Sequence, residues 1–193
     1  MEEKSLVRRC RAGEPGARQE MYETYAGRVL AVCRRYIRDP ERARDLVHDT
    51  FLKAWDALDG FRPRRAGSLG AWLSRIASHL AVDELRRQRR LTQLTGGSVD
   101  AEEDLPEGPI EEAAVDVETL RTVPVEELID LIASLPEGYR TVFNLFCLDG
   151  CSHQEIASLL GISEKTSQTQ YLKARHKLAA MIAAKYGSYG KKK

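Results

Sequence analysis

The stretch SHQEIASLLGISEKTSQTQYLKAR, residues 152–175, decides the architecture. Ser152 and Glu155 have the spacing of a capping box, in which each side chain satisfies a backbone N–H left free at a helix start. The helix they open, over 153–160, is short and stops at Gly161. Three residues, Gly161, Ile162 and Ser163, then lead into a longer helix over 164–184. A short helix, a Gly-containing turn and a longer polar helix describe a helix-turn-helix. Ile156, Ala157, Leu160 and Ile162 are expected to pack the two helices together, with Leu172 and Leu178 anchoring the second. That leaves Lys165, Thr166, Gln168, Thr169, Gln170, Lys173 and Arg175 to face outward. Gln pairs bidentately with adenine and Lys with guanine or phosphate, so this surface suits a DNA major groove. A helical hairpin with a solvated polar face has the same pattern, and this element alone does not separate the two.

Upstream of it the pattern stays helical. Pro124 opens a helix with Glu126 and Glu127 in its first turn, where the helix dipole favours acid. Val125, Leu128, Leu131, Ile132 and Leu135 form its apolar face, and Pro136-Glu137-Gly138 breaks it. Another helix is expected from about 138 to 149, ending at Gly150. These helices make a four-helix C-terminal domain over 123–193. In the N-terminal part, Asp39-Pro40 is a helix start, a capping residue followed by Pro at the first helical position. From there Ala43, Leu46, Val47, Thr50, Phe51, Ala54 and Leu58 recur at helical spacing. A second stripe runs Leu69, Trp72, Leu73, Ile76, Ala77, Leu80. An earlier helix over about 16–37 turns Met21, Tyr25, Val29, Val32 and Tyr36 inward. No stretch shows sustained strand alternation. The fold class is therefore all-α: an N-terminal helical bundle over 1–92 and the helix-turn-helix domain over 123–193, joined by residues 93–122.

The joining segment reads as a flexible acidic linker, with three Gly, two Pro and few large apolar residues in and around it. The formal net charge of +1 hides a strong asymmetry. Residues 1–90 hold 20 Lys or Arg against 13 Asp or Glu. Residues 91–127 hold one basic residue, Arg121, against 11 acidic ones, and residues 128–193 hold nine against five. Two basic ends flank an acidic middle, a distribution suited to polyanionic partners.

Other classes find little support. No run of 18 apolar residues exists, so no membrane insertion is expected. The opening MEEKSLVRRCRAGEP lacks the apolar core of a secretory signal. Cys10, Cys33, Cys147 and Cys151 are too few and too scattered for a disulfide framework. Cys147, Cys151 and His153 lie close in sequence but lack a fourth metal ligand, so core thiols in a reducing cytoplasm are expected, with no metal and no cofactor. Trp55 and Trp72 are expected to pack in the core. No glycine-rich phosphate loop and no nucleophile–base pair points to an enzyme.

A second constellation is basic. Arg75, His79, Asp83, Arg86 and Arg87 share one side of the helix that starts near 69. Just before it lies Phe61-Arg62-Pro63-Arg64-Arg65. Arginines and an aromatic suit single-stranded nucleic acid, where bases stack and phosphates need counter-charge. A solvated Arg-rich face near a helix C-terminus is the alternative.

Three stretches carry a family resemblance. DLVHDTFLKAW, residues 45–55, resembles the polymerase-docking helix of bacterial sigma factors. GAWLSRIASHLAVDELRR, residues 70–87, resembles their promoter-melting helix. LPEGYRTVFN, residues 135–144, together with the helix-turn-helix ending at Arg175, resembles their upstream-element reader. The order and the acidic linker resemble the extracytoplasmic-function (ECF) group of the sigma-70 family, which keeps only these two domains.

The resemblance implies that Asp45, His48, Asp49 and Lys53 dock on the beta-prime clamp of core RNA polymerase, the second domain contacting the beta flap. It implies that the loop from Phe61 to Ser68, with Arg62, Arg64 and Arg65, takes a flipped-out base of the −10 element. Arg75, His79, Arg86 and Arg87 would hold the strand or the duplex edge, and the helix over 164–178 would read the −35 element. It also implies promoter DNA and an anti-sigma factor as partners. The chain departs from the family at Gln168 and Gln170, where many members have Arg, and at His79, where Asn is common. The rival reading is a stand-alone helix-turn-helix transcriptional regulator. Such a protein usually dimerises on a palindrome, and it would leave the docking helix and the basic loop without a purpose.

Overall fold

The computed structural model describes residues 3–63, 65–94 and 123–186. The acidic linker, Arg64 and the Lys191–Lys193 tail lie outside the described residues. The chain divides into two units, Met1–Arg90 and Leu91–Lys193. No strand occurs among the described residues, and no described helix is long and apolar enough to cross a membrane.

The first unit contains α1 (Glu3–Arg11), α2 (Ala17–Tyr36), α3 (Pro40–Ala57), a 3₁₀ turn (Leu58–Gly60) and α4 (Ser68–Leu94). Asp39 caps α3 as its sequence requires, its Oδ1 accepting from the N–H groups of Glu41 at 2.9 Å and Arg42 at 3.3 Å. Pro40 occupies the first helical position, where its missing N–H costs nothing. All seven residues of the expected α3 stripe are buried. Helix α2 packs on α3 and buries Met21, Val29, Val32 and Tyr36, and α4 buries Leu69, Leu73, Ala77, Ala81 and Val82. Each large side chain buried in this way contributes roughly 1.5–3 kcal/mol. Replacing Asp39 with Ala should remove the cap and lower the unit's stability by about 1 kcal/mol, a denaturant titration being the check.

Helix α1 was not expected from the sequence. Its nine residues bury only Leu6, Val7 and Cys10. Arg9 ties it to α2 through Glu20 at 2.8 Å and to the intervening turn through Glu14 at 2.9 Å.

The second unit contains α5 (Val125–Ser134), α6 (Glu137–Phe143), a π-helical turn (Asn144–Leu148), α7 (His153–Leu160) and α8 (Glu164–Tyr186). Two expectations need correction here. Val125 is 67 % exposed; the packed face of α5 begins only at Leu128, and Val123 takes the buried place before the helix. The helix expected over 138–149 is not uniform either. Beyond Phe143 it widens, the Asp149 N–H reaching the Asn144 carbonyl five residues back at 3.0 Å. Asn144 and Leu145 stay buried while Cys147 and Leu148 turn to solvent.

The capping box forms as read. The Ser152 N–H donates to Glu155 Oε2 at 2.7 Å, and the Glu155 N–H donates to Ser152 Oγ at 3.2 Å. Gly161 ends α7 with φ +68°, a left-handed conformation that glycine adopts without a Cβ clash. Ser163, read from sequence only as a turn residue, accepts from the Thr166 N–H at 3.0 Å and so opens α8.

Arg140 carries the join between α5 and α6. It is 4 % exposed, and its Nη1 donates to the carbonyls of Ala133 at 2.9 Å and Leu135 at 3.2 Å. Those carbonyls belong to the free C-terminal end of α5, where the dipole favours a cation.

Candidate polymerase and nucleic-acid interfaces

The outer face of α3 follows from its buried one. With 100° per residue, Asp45, Asp49, Leu52 and Asp56 fall within about 60° of each other, opposite Ala43, Val47 and Ala54. All four are exposed. Lys53 borders the strip on one side. His48 borders it on the other and is not simply solvated: its ring stacks on Tyr22 of α2 at 5.9 Å. Leu52 was missed from sequence because the apolar stripe of α3 excludes it. At 57 % exposure it is an apolar side chain on the same strip as three carboxylates.

The nine residues expected at the −10 strand fall into distinct environments. Arg65, Arg75 and His79 are exposed and Arg86 is half-buried, 3.9 Å from Asp83. Arg75, His79 and Arg86 lie within about 40° on α4. Phe61 differs from expectation. It is 9 % exposed, its ring stacked on Trp72 at 4.6 Å, so it holds the loop to α4 and offers no open stacking face. Arg62 folds back, donating to the carbonyls of Asp59 and Phe61. Ser68 is half-buried and donates to Glu3 Oε2 at 3.3 Å. Arg87 is drawn aside by Glu84 at 2.8 and 3.1 Å, while Arg42 of α3 reaches the same carboxylate at 2.9 Å. The Arg87 hydrogen bond, first among the causes, holds the Glu84 carboxyl below the usual range. Arg64 lies outside the described residues.

One further cation arrives from another helix. Arg28 of α2 donates to Ser74 Oγ of α4 at 3.2 Å, beside Arg75. Gly70 permits this approach: a Cβ there would meet Arg28 Nη1 at 3.1 Å and Tyr25 Cε1 at 3.2 Å.

On α8, Lys165, Thr166, Gln168, Thr169 and Arg175 are exposed. Gln170 and Lys173 were expected to point outward with them and are half-buried. Gln170 lies three residues after Ser167 and four before Ala174, both fully buried, so helical geometry turns it toward α6. There its amide lies 3.4 Å from where a Cβ of Gly138 would be. Lys173 leans over the Tyr139 ring at 6.0 Å. Leu172, expected as an anchor, is half-buried and lies away from the stripe of Ser167, Ala174, Leu178 and Ile182.

An aromatic cluster sets the angle between α7 and α8. Phe146 stacks on His153 at 4.3 Å and meets Tyr171 at 4.6 Å, while His153 Nδ1 bonds Ser167 Oγ at 2.9 Å. The expectation of core thiols at Cys147 and Cys151 needs correction. Cys10 and Cys33 are buried, but Cys147 is exposed, its Sγ 3.6 Å from the Tyr171 hydroxyl, and Cys151 is half-buried. Trp55 and Trp72 are half-buried, each packed on a phenylalanine.

These two helical units match two family models in order: residues 21–91 match Sigma-70 region 2, and residues 125–178 match Sigma-70, region 4. The chain is 30% identical over 172 residues to the ECF RNA polymerase sigma-E factor of Escherichia coli (strain K12), covering 88% of each chain. It belongs to the ECF sigma factors. It is also 32% identical over 186 residues to the RNA polymerase sigma factor NccH of Alcaligenes xylosoxydans xylosoxydans, covering 93% of this chain and 94% of that protein. The sigma factor RpoE of Bartonella quintana, solved in complex with the anti-sigma factor NepR, shares the fold. Its TM-score is 0.50 at 20% identity, over 85% of this chain and 95% of that one.

An ECF sigma factor binds core RNA polymerase and directs it to promoters, and this is the function of the chain. The reading as a stand-alone regulator is set aside, since the region 2 match accounts for the segment such a regulator does not need. The family is one of transcription initiation factors.

Proposed function

We propose that the two units divide promoter recognition between them, with boundaries near 1–92 and 123–193. The α3 strip of Asp45, Asp49, Leu52 and Asp56, with His48 and Lys53 at its borders, docks on the beta-prime clamp. The loop after α3 receives the −10 non-template strand, with Arg62, Arg64 and Arg65 near the flipped base. Arg75, His79 and Arg86 run along the strand, joined by Arg28. Phe61, Ser68 and Arg87 shape that surface. In the second unit, Lys165, Thr166, Gln168, Thr169 and Arg175 read the −35 element while the unit contacts the beta flap. The factor works in the cytoplasm, has no active site of its own and needs no cofactor. An anti-sigma factor covering the α3 face keeps it silent, by analogy with the Bartonella quintana complex.

The observation that carries this reading is the pair of opposed surfaces within one unit: an acidic helix face centred on an exposed Leu52, and a basic stripe on α4. The first suits a basic protein partner and the second a phosphate backbone. Purified protein and core polymerase are expected to co-elute on a sizing column and to start transcription at specific promoters. Failure to co-elute, or tight specific duplex binding by the protein alone, would count against the division of labour.

A sharper outcome separates the two glutamines. Gln168→Ala should relax −35 sequence preference, with a loss of about tenfold in discrimination at one base pair. Gln170→Ala should leave the preference nearly intact, because its amide is turned toward Gly138. Binding profiles over randomised −35 sequences check both, and equal effects would reassign the recognition face.

A further inference from the structure

The basic loop between α3 and α4 is held at both ends by a helix that never enters it. At the near end, the Arg11 guanidinium at the tip of α1 donates to the Leu58 carbonyl from Nε at 3.2 Å and from Nη2 at 2.7 Å. The same Nη2 reaches the carbonyls of Phe61 and, at 3.5 Å, Asp59. At the far end, Glu3 opens α4 from outside. Its Oε2 accepts from Ser68 Oγ and from the Leu69 N–H, each at 3.3 Å, while its Oε1 accepts from the Tyr25 hydroxyl at 3.0 Å. Arg11 and Glu3 lie eight residues apart, at opposite ends of one rigid nine-residue helix. Leu6, Val7 and Cys10 fix that helix to the core, and Arg9 locks it to α2. Arg11 and Glu3 thereby tie the two ends of the loop to one helix.

We infer that Arg11 and Glu3 are positioning residues for base capture: α1 is a brace that holds the loop where it leaves α3, at 58–61, and where it enters α4, at 68–69. This rests on the reading of that loop as the −10 receiver. A strand-binding loop that is ordered before it binds does not lose conformational freedom on binding, so its contacts contribute more fully to affinity and to discrimination among bases. Phe61 shows how the order is transmitted. Its carbonyl is held by Arg11 and its ring by Trp72, which anchors the chain at the start of the loop. The guanidinium suits this task because its fork reaches several carbonyls at once, which a lysine ammonium at the end of a flexible stem does not.

The test uses full-length protein assembled with core polymerase and a promoter that the wild-type holoenzyme uses. The probe is that promoter with a premelted −10 segment, carrying either its own base or a substituted one at the captured position. The quantity read is the ratio of the two affinities. Poor folding lowers the active fraction of a variant but leaves this ratio unchanged, so the ratio isolates positioning. Arg11→Ala should reduce it about tenfold while co-elution with polymerase stays at the wild-type level. Arg11→Lys should fall between, and Glu3→Ala, which unties only the far end, should also lower the ratio. Arg62→Ala and Arg65→Ala, inside the loop, serve as the reference. If they lower the ratio and the Arg11 and Glu3 variants do not, the brace is overturned while the loop assignment stands. If none of the five changes it, the loop is not the receiver and the brace falls with it.

Discussion

Asp49→Lys is expected to weaken assembly with core polymerase by about thirtyfold or more, with the fold left intact. The position is exposed on α3 and has Asp45 and Leu52 as helical neighbours. Exposed substitutions away from caps and cores usually change stability by no more than about 0.5 kcal/mol, so the unit tolerates the change. Its interface does not. A partner complementary to three carboxylates presents cations, and a lysine among them replaces attraction with like-charge contact. Central positions of an interface commonly cost about 2 kcal/mol or more on substitution, which is roughly thirtyfold in Kd. Leu52→Asp should produce a loss of similar size by a different route. It removes the apolar centre and buries a new charge, so dissociation accelerates at every salt concentration. The Asp49 effect is largely electrostatic, so raising salt should shrink it by screening. Competition binding of both variants to core polymerase at low and high salt separates the two routes. Wild-type affinity for both would remove this face from the interface.

Much of the fold was legible because helices with a single packed face repeat their apolar residues every 3.6 positions. The α3 stripe, the Asp39-Pro40 start, the capping box at Ser152 and Glu155 and the stop at Gly161 are local features, and each formed as read. Much of what escaped depends on partners distant in sequence. Helix α1 buries three residues in nine, too few for a periodic signal, although Leu6, Val7 and Cys10 do have helical spacing. Gln170 resembles its neighbours in type, and its place beside Gly138 of another helix could not be read from that. Phe61 reads as a free aromatic until Trp72 is placed beside it. Arg87 reads as a phosphate ligand until Glu84, three residues earlier, is seen to hold it. Leu52 was hidden by the periodicity argument itself, which credits the buried stripe and leaves an apolar residue on the opposite face unexplained. An exposed leucine flanked by carboxylates was the available signal.

Arg140→Ala should cost the second unit about 3 kcal/mol and abolish −35-dependent transcription while polymerase binding through α3 persists. A lone buried guanidinium is costly unless donors are met, and here the terminal carbonyls of α5 meet its Nη1. Each such charge-assisted bond contributes roughly 1.5–3 kcal/mol, and alanine also leaves the carbonyls of Ala133 and Leu135 without this donor. The consequence is specific because of what Arg140 joins. It stands on α6, the helix whose Tyr139 packs with Ile132, Leu135, Ala174 and Leu178 in the core that carries α8. Loosening the turn between α5 and α6 therefore frees the reading helix from its support without touching an outward residue. Hydrogen exchange of the full chain should show protection over 123–186 falling about a hundredfold while residues 3–63 keep theirs, since 1.4 kcal/mol corresponds to a factor of ten. Arg140→Met, which fills much of the volume but donates nothing, should recover part of the loss and so separate packing from hydrogen bonding. Equal loss of protection in both units would place the role of Arg140 in general stability, and undiminished protection over 123–186 would show that the guanidinium does not hold α5 to α6.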